Sequence, residues 1–332
     1  MYFLLGTILT LAFLLIVNLI VAVLSSALWR VGSKSVRRLS LETRAEVILA
    51  LRILPVAVSL CFVIAFLIPS YLLLEPVSSD ETISSKLSLI ALISVLGIGI
   101  ALYRVFETWI VTRRLASDWL NDAVEMRIDD IRIPVYRIRH QFPVIAVIGI
   151  FRPKIFVADQ VLDSLNRNEF RAAIAHEYGH LRANDNFRRT LLRICRDLLI
   201  LPVGNALDRA WAETAESVAD EFAARIGRSS ALDLASALVK IAKIVPANAS
   251  PAMPAGAFLI EDLNADVTSR VRRLLLLSED PRFVTGIKTP KLSLAPLLWS
   301  AALILLLLLP IANERYLTGT HEVVEQFVSI LQ

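Results

Sequence analysis

The sequence predicts an α-helical integral membrane protein with four transmembrane helices and a mainly helical domain that carries a small antiparallel β-sheet. Two observations predict this class. Of the 332 residues, 56% are hydrophobic and only 20% charged, and the mean hydropathy is +0.62. The apolar residues are also concentrated in four long blocks. This composition excludes disordered, collagen-like and ordinary soluble proteins. A net charge of +4 is too small to indicate nucleic-acid binding, and no direct nucleic-acid partner is expected.

The four apolar blocks are each long enough to cross a bilayer, which takes about 20 residues. Three lie near the N-terminus, at 2–29, 47–74 and 87–111, and the fourth lies at 291–312. The first block lacks a basic leading segment and is longer than a signal-peptide core, so we interpret it as a retained helix. The only two cysteines, Cys61 and Cys195, lie far apart and predict no disulfide framework.

The basic residues that flank these blocks predict their orientation. The linker 30–46 carries five Lys or Arg against two acids, whereas the loop 75–86 carries three acids against one lysine. By the positive-inside rule, the linker and residues 112–290 are cytoplasmic. The N-terminus and the short tail 313–332 are then extracytoplasmic. We therefore expect a multi-pass protein of the inner, cytoplasmic membrane, in contact with the lipid bilayer.

Residues 112–290 form the predicted soluble domain. We expect 113–127 to be helical, followed by strands at 132–138, 144–150 and 155–158. In the rest of the domain the sequence pattern predicts helices at 166–183, 188–201, 208–225, 231–244 and 266–277. Helix 188–201 is too short and too charged to cross a bilayer, and either lies at the membrane surface or packs inside the domain. The loop 246–262 is either a lid over the site or a linker.

The pentapeptide His176-Glu177-Tyr178-Gly179-His180 is an HExxH sequence within the predicted helix 166–183. Histidines four residues apart share one helical face, so both imidazoles can bind one zinc ion. Glu177 is then placed to act as a general base toward water at the metal. The alternative is an amphipathic helix with histidines on its polar face.

A catalytic zinc needs a third protein ligand. In helix 208–225, Glu216 and Asp220 share one face and are flanked by alanines, which would let this helix approach the HExxH helix closely. Acidic side chains on such a face are costly to bury without a cation. We therefore predict Glu216 as the third ligand and Asp220 as an acceptor that orients a ligand. The alternative, a solvated acidic face, explains Glu213 and Glu221 well.

HEYGH followed by Glu216-Ser-Val-Ala-Asp220 resembles the membrane gluzincin metallopeptidases. These include the BlaR/MecR-type peptidases, which are β-lactam sensor-transducers, and the HtpX and CAAX-prenyl endopeptidases. The resemblance is closer to the BlaR/MecR type, through its membrane layout and the segment Arg182-Ala-Asn-Asp185. It also includes the paired strands at 143–157 and the arginine-containing segment that begins at Arg270. The chain lacks the penicillin-binding sensor of those proteins, so direct β-lactam sensing is not expected and a separate sensor protein is.

The resemblance implies a membrane zinc endopeptidase that cleaves a cytoplasmic or membrane-associated regulator, such as a repressor, in signal transduction. Quality-control proteolysis of the HtpX kind and a non-catalytic signalling scaffold are the alternatives. Asp185 is expected beside the metal ligands. An extended protein or peptide substrate is expected to pair with Val144, Ile145, Ala146 and Val147. The cation that stabilises the oxyanion is predicted among four side chains: Arg270, Arg272, Arg273 and His140.

Overall fold

The computed structural model describes residues 1–76, 84–128, 133–227, 229–245, 263–280 and 314–331. The chain divides into two compact units, which are described separately. The first unit contains Met1–Arg104, Leu191–Trp211 and residues within Ser293–Gln332. The second contains Val105–Thr190 and residues within Ala212–Leu292.

Among the residues that the structure describes, three helical stretches are long and apolar enough to cross a membrane. The first is α1 (Tyr2–Val36). The second consists of α2 (Leu41–Phe62), a π-helical turn (Val63–Leu67) and α3 (Ile68–Leu74), and the third is α4 (Ser85–Asn121). They contain the first three predicted transmembrane helices. The fourth predicted helix lies outside the described residues, and the sidedness of the chain stays a prediction.

The first unit has an apolar core formed by the membrane helices. Leu5, Leu9 and Phe13 of α1 pack against Val63 and Leu67 of the second stretch. Val324 joins this cluster from α11 (Glu314–Leu331). The predicted tail is therefore helical over these residues, because its apolar side chains have a buried surface against which to pack.

The stretch Leu191–Trp211, which the sequence analysis places in the soluble domain, groups with the membrane helices. It includes the end of α7 (Asp185–Asp197) and the start of α8 (Asn205–Ala224). Arg104 Nη1 donates to Asp197 Oδ1 at 2.7 Å, and Arg52 Nε donates to Asp208 Oδ1 at 2.8 Å. At Gly97 a side chain would collide with the Leu198 carbonyl oxygen, 2.7 Å from an ideal Cβ. Helix 188–201 therefore packs at its end against α4, instead of inside the second unit.

In its described part, the second unit contains a four-stranded mixed sheet in the order β1-β2-β4-β3. The strands are β1 (Val124–Met126), β2 (Val135–Ile138), β3 (Ile145–Ile148) and β4 (Lys154–Ala158). The predicted all-antiparallel sheet is wrong, since β2 and β4 are parallel. After β2 the chain skips one position in the sheet and forms β3 at the edge. It then turns back, so β4 lies between β2 and β3, antiparallel to β3 and parallel to β2. The predicted helix 113–127 is also wrong at its end: α4 stops at Asn121 and β1 follows.

The described helices of the second unit pack on the sheet and on one another. They are α5 (Asp159–Ser164), α6 (Arg167–Ala183), the beginning of α7, the end of α8, α9 (Ser230–Ile244) and α10 (Leu263–Glu279). The core joins the sheet to α6 and α9, with Phe156, Ile174 and Ala237 fully buried. Residues 246–262 lie outside the described residues, so their role as lid or linker is not addressed by the structure.

Candidate active site

Helix α6 carries the HExxH residues and is fixed at both ends. At its start the Asn166 side chain accepts hydrogen bonds from the backbone N–H groups of Asn168 and Glu169, while the Glu169 carboxylate accepts one from the Asn166 N–H. Such a capping box satisfies backbone donors that the first turn leaves free. At its end Asn184 adopts a left-handed conformation, φ 56°, which terminates the helix.

The two histidines of α6 meet Glu216 of α8 in one buried cluster. The His176 and His180 Nε2 atoms are 3.2 Å apart, and each lies 3.4 Å from a carboxylate oxygen of Glu216. Two ligands at ~2.0–2.1 Å from a tetrahedral zinc lie ~3.3–3.4 Å from each other. Donor types and separations both fit a single zinc ion, and the three residues form a group that could hold a metal.

Two carboxylates orient the histidines from behind. Asp220 Oδ1 lies 2.9 Å from His176 Nδ1, and Asp185 Oδ2 lies 2.7 Å from His180 Nδ1. An acceptor at Nδ1 keeps Nε2 as the metal-binding nitrogen and makes it more basic. Burial favours the neutral form of His180, but Glu216 and Asp185 outweigh it and raise its pKa to about 10. The site therefore attracts positive charge at His180, either a proton or a metal cation.

Three arginines surround the acidic residues of α8. Arg270 donates to both carboxylate oxygens of Asp220, at 3.1 and 2.7 Å, and its Nη1 lies 3.3 Å from Glu216. Arg273 also pairs with Asp220, and Arg189 Nη2 donates to Glu216 at 3.1 Å. Burial would raise the pKa of both carboxyls, but Arg270 and the histidines outweigh it and hold both pKa values below their ordinary range. Both side chains are therefore carboxylates at neutral pH.

Glu177, the predicted general base, is 3% exposed. Burial raises the pKa of its carboxyl above the ordinary value. A raised pKa suits a group that must accept a proton and later release it near neutral pH.

Close packing between α6 and α8 brings the ligands together. An ideal Cβ at Gly179 would lie 3.1 Å from the Ala219 Cα and 3.3 Å from its Cβ. The small residues of α8 therefore do allow the close approach that the sequence predicts.

The strand predicted to receive substrate is at one edge of the described sheet. Val144, Ile145, Ala146 and Val147 are all buried, and β3 pairs with β4 on one side. Asn186 donates to the Val147 carbonyl at 3.3 Å and to the Gly149 carbonyl at 3.0 Å. One end of the strand is therefore already occupied by a side chain from α7.

The four oxyanion candidates separate in the structure. Arg270 and Arg273 reach Asp220, while Arg272 is exposed. His140 accepts a hydrogen bond from the Phe142 N–H through Nδ1 and contacts the Trp119 ring, which explains it as a loop residue. Sequence reasoning missed Arg189, whose arginine-rich surroundings give no periodic signal.

A second group with metal-ligand chemistry occurs in the first unit. Glu75, His321 and Glu325 meet there, with His321 Nε2 4.0 Å from Glu75 and 3.1 Å from Glu325. Glu325 is mostly exposed, and the separations are less uniform than at the HExxH cluster. The candidate active site is therefore the cluster in the second unit.

The model of peptidase family M48 matches residues 144–213. The matched stretch begins at β3, includes all of the HExxH helix and ends three residues before Glu216. No curated protein matches the chain. The match covers about a fifth of the sequence, so it bears on this segment alone, and the BlaR/MecR subtype is a finer assignment that it does not address. Residues 144–213 are therefore similar to the M48 family of metallopeptidases, and this segment contains both histidines of the cluster.

Proposed function

We propose that the chain is an integral membrane zinc endopeptidase with a gluzincin-type site. The observation that carries this proposal is the near-equal separation, 3.2–3.4 Å, of His176, His180 and Glu216 ligand atoms beside a buried Glu177. The M48 match supports the peptidase class, and three apolar helices support attachment to a membrane.

A zinc ion held by His176, His180 and Glu216 would act as a Lewis acid and would lower the pKa of a water molecule at the site. Glu177 then accepts the proton of that water as the water oxygen attacks the substrate carbonyl. Glu177 afterwards gives this proton to the leaving amine, so that the same carboxyl serves as base and acid. Asp220 and Asp185 hold the histidine rings in place throughout.

Arg270 is our candidate for stabilising the negative charge that develops on the carbonyl oxygen. Arg270 is 6% exposed, and its guanidinium lies 3.3 Å from Glu216 and within 3.5 Å of His176. Burial of the site strengthens such an interaction. Because Arg270 also pairs with Asp220, its replacement is expected to lower metal affinity as well as the rate.

We propose that an extended substrate binds along β3 as an added strand. Asn186 already bonds to the Val147 and Gly149 carbonyls. It would either mark the end of this binding edge or move aside when the substrate pairs there.

The proposed substrate is a regulatory protein at the cytoplasmic face of the inner membrane, cleaved in signal transduction. The competing functions are quality control of membrane proteins and a scaffold without catalysis. Burial of the Glu177 carboxyl is costly. A catalytic role accounts for this cost, whereas a scaffold without catalysis does not need an acid at this position. This residue favours an active peptidase.

The experiment that tests the proposal compares N-terminal peptides from host cells that contain the parent or Glu177→Gln. New N-termini on one or two regulators, absent in Glu177→Gln, support signalling, and a broad set from membrane proteins supports quality control. Glu213→Gln is the matched control, since Glu213 is an exposed carboxylate on α8. Equal cleavage by Glu177→Gln and the parent would overturn the mechanism.

A further inference from the structure

A cluster of one histidine and two glutamates lies in the first unit, where the end of α3 meets α11. Glu75 directly follows α3, and His321 and Glu325 are one turn apart on α11. His321 Nε2 lies 4.0 Å from a Glu75 oxygen and 3.1 Å from a Glu325 oxygen. One ligand atom from each residue lies within 4.8 Å of the other two, so the three side chains converge on one small volume.

The packing of α11 brings these side chains together. The Ser70 hydroxyl of α3 donates to the Leu317 carbonyl at 3.0 Å, one turn before His321. Val324, which lies between His321 and Glu325 in the sequence, is buried in the core of the first unit. A hydrogen bond and an apolar contact thus hold α11 in place, and the cluster is a product of the fold.

Glu75 is the member of the cluster that needs a partner. Its side chain is 7% exposed, yet within the described part of the chain its carboxylate accepts no hydrogen bond. His321 Nε2, at 4.0 Å, is too far away to donate one. Glu75 also lies at the C-terminal end of α3, where the backbone carbonyls disfavour an anion and favour a cation. A buried carboxylate in this place is costly unless a cation binds to it.

The charges of the cluster indicate a divalent ion. Two carboxylates beside a neutral imidazole carry two negative charges, and protonation of His321 would cancel only one of them. A divalent cation would cancel both and bind all three side chains. Ligand atoms of a tetrahedral zinc lie about 3.3–3.4 Å apart. The 3.1 Å separation is near this value, and the 4.0 Å separation exceeds it by about 0.6–0.7 Å, a shift that side-chain rotation supplies.

We infer that Glu75, His321 and Glu325 form a second zinc site, which fastens α11 to the end of α3. An imidazole with carboxylates is a ligand set for zinc and similar transition metals, whereas Mg²⁺ and Ca²⁺ take oxygen ligands. Three protein ligands leave the fourth position to water. The inference does not depend on the proposed peptidase function, since none of these residues belongs to the HExxH cluster.

The test measures the zinc bound to the purified full-length protein in detergent, by equilibrium dialysis. The parent is expected to bind two zinc ions per chain and His321→Ala one. Glu322→Gln is the matched control and should bind two, since Glu322 is an exposed carboxylate next to His321 on α11. Equal zinc in His321→Ala and the parent would overturn the inference. One ion in the parent and none in His321→Ala would support it, and would instead overturn zinc binding by the HExxH cluster.

Glu75→Gln separates metal binding from folding, because the amide keeps the shape of the side chain and removes its charge. This variant should also bind one zinc ion. In the presence of a chelator it should melt at a higher temperature than the parent, which then keeps a buried charge without compensation. Added zinc should raise the melting temperature of the parent more than that of Glu75→Gln. A melting temperature below that of the parent by the same amount in chelator and in zinc would show a packing role alone and contradict the metal site.

Discussion

Loss of one partner of the Arg52–Asp208 ion pair is expected to destabilise the first unit strongly. The Arg52 side chain is 2% exposed and that of Asp208 20%, with Nε and Oδ1 2.8 Å apart. Gly204, at φ +94°, leaves just enough room for the guanidinium, because an ideal Cβ there would lie 3.1 Å from Arg52 Nε. Arg52 is thus enclosed by the chain, and Asp208 is its counterion.

Removal of one partner leaves a buried charge without compensation, which costs about 3–5 kcal/mol. Asp208→Asn is therefore expected to destabilise the protein by that amount. Replacement of both partners by apolar residues of similar size is often neutral or stabilising. The double variant Arg52→Leu/Asp208→Leu is expected to be far more stable than either single leucine variant, and a double-mutant cycle gives a coupling energy of several kcal/mol.

The assay is equilibrium unfolding of the full-length protein in mixed detergent micelles. The control pair is Arg137–Asp159, whose atoms are 2.6 Å apart but whose side chains are 49% and 27% exposed. Exposed pairs contribute at most about 1 kcal/mol, so Asp159→Asn should change stability little. A cost below 1 kcal/mol for Asp208→Asn, or additive effects in the cycle, would refute the reasoning.

Three further predictions concern the second unit. Asp185→Asn removes the carboxylate behind His180 and should weaken zinc binding about 10–100-fold; unchanged affinity in competition with a zinc chelator would contradict this. Burial alone would raise the pKa of Glu169. Hydrogen bonds from Lys240, a serine hydroxyl and a backbone N–H outweigh burial, so the pKa of Glu169 is lowered. Its contribution to stability is therefore present above the ordinary pKa and lost as pH falls below it. At pH 7 the free energy of unfolding of Glu169→Gln should be lower than that of the parent, and it should fall less steeply as the pH is lowered. If the two curves of unfolding free energy against pH are parallel, Glu169 does not contribute in this way. Chelation of zinc should lower the melting temperature of the parent by mass action, and the same chelator should lower that of His176→Ala by less.

Local pattern was sufficient to predict the helix that carries His176 and His180, because a four-residue spacing on a helix places both rings on one face. It was also sufficient to place Glu216 and Asp220 together on a small-residue face. The contact of these two acids with the histidines depends on how the two helices pack. It was nevertheless predicted, because acidic side chains are costly to bury without a cation. The observed separations agree with this reasoning, while zinc binding by these residues stays a prediction.

The errors arose where long-range contacts override local pattern. The end of α4 continues a helical pattern up to Asn121, and the three residues of β1 form a strand only because they pair with β2. The parallel pairing of β2 and β4 depends on the chain path, which short strands do not encode. Arg189 reaches Glu216 because α7 packs beside α8, and no spacing in the sequence indicates that contact.

The approach of α6 to α8 at Gly179 offers a test that separates metal affinity from folding stability. In Gly179→Ala the new methyl would lie 3.1–3.3 Å from Ala219, so the helices must separate by a few tenths of an ångström. Helix propensity gains about 1 kcal/mol from the added methyl, while overpacking costs about 1–3 kcal/mol. Stability is therefore expected to fall by at most about 2 kcal/mol.

Metal affinity should respond more strongly to the same substitution, since His180 follows Gly179 directly and Glu216 lies one turn before Ala219. The second change Ala219→Gly removes the Cβ at 3.3 Å but keeps the Cα at 3.1 Å, so it should restore zinc affinity in part. It should at the same time lower stability further, by about 1 kcal/mol, because glycine is unfavourable within a helix. These opposite responses of affinity and stability are a signature that loss of packing alone does not produce. If zinc affinity in Gly179→Ala equals that of the parent, or if Ala219→Gly lowers it further, close helix packing does not position the ligands.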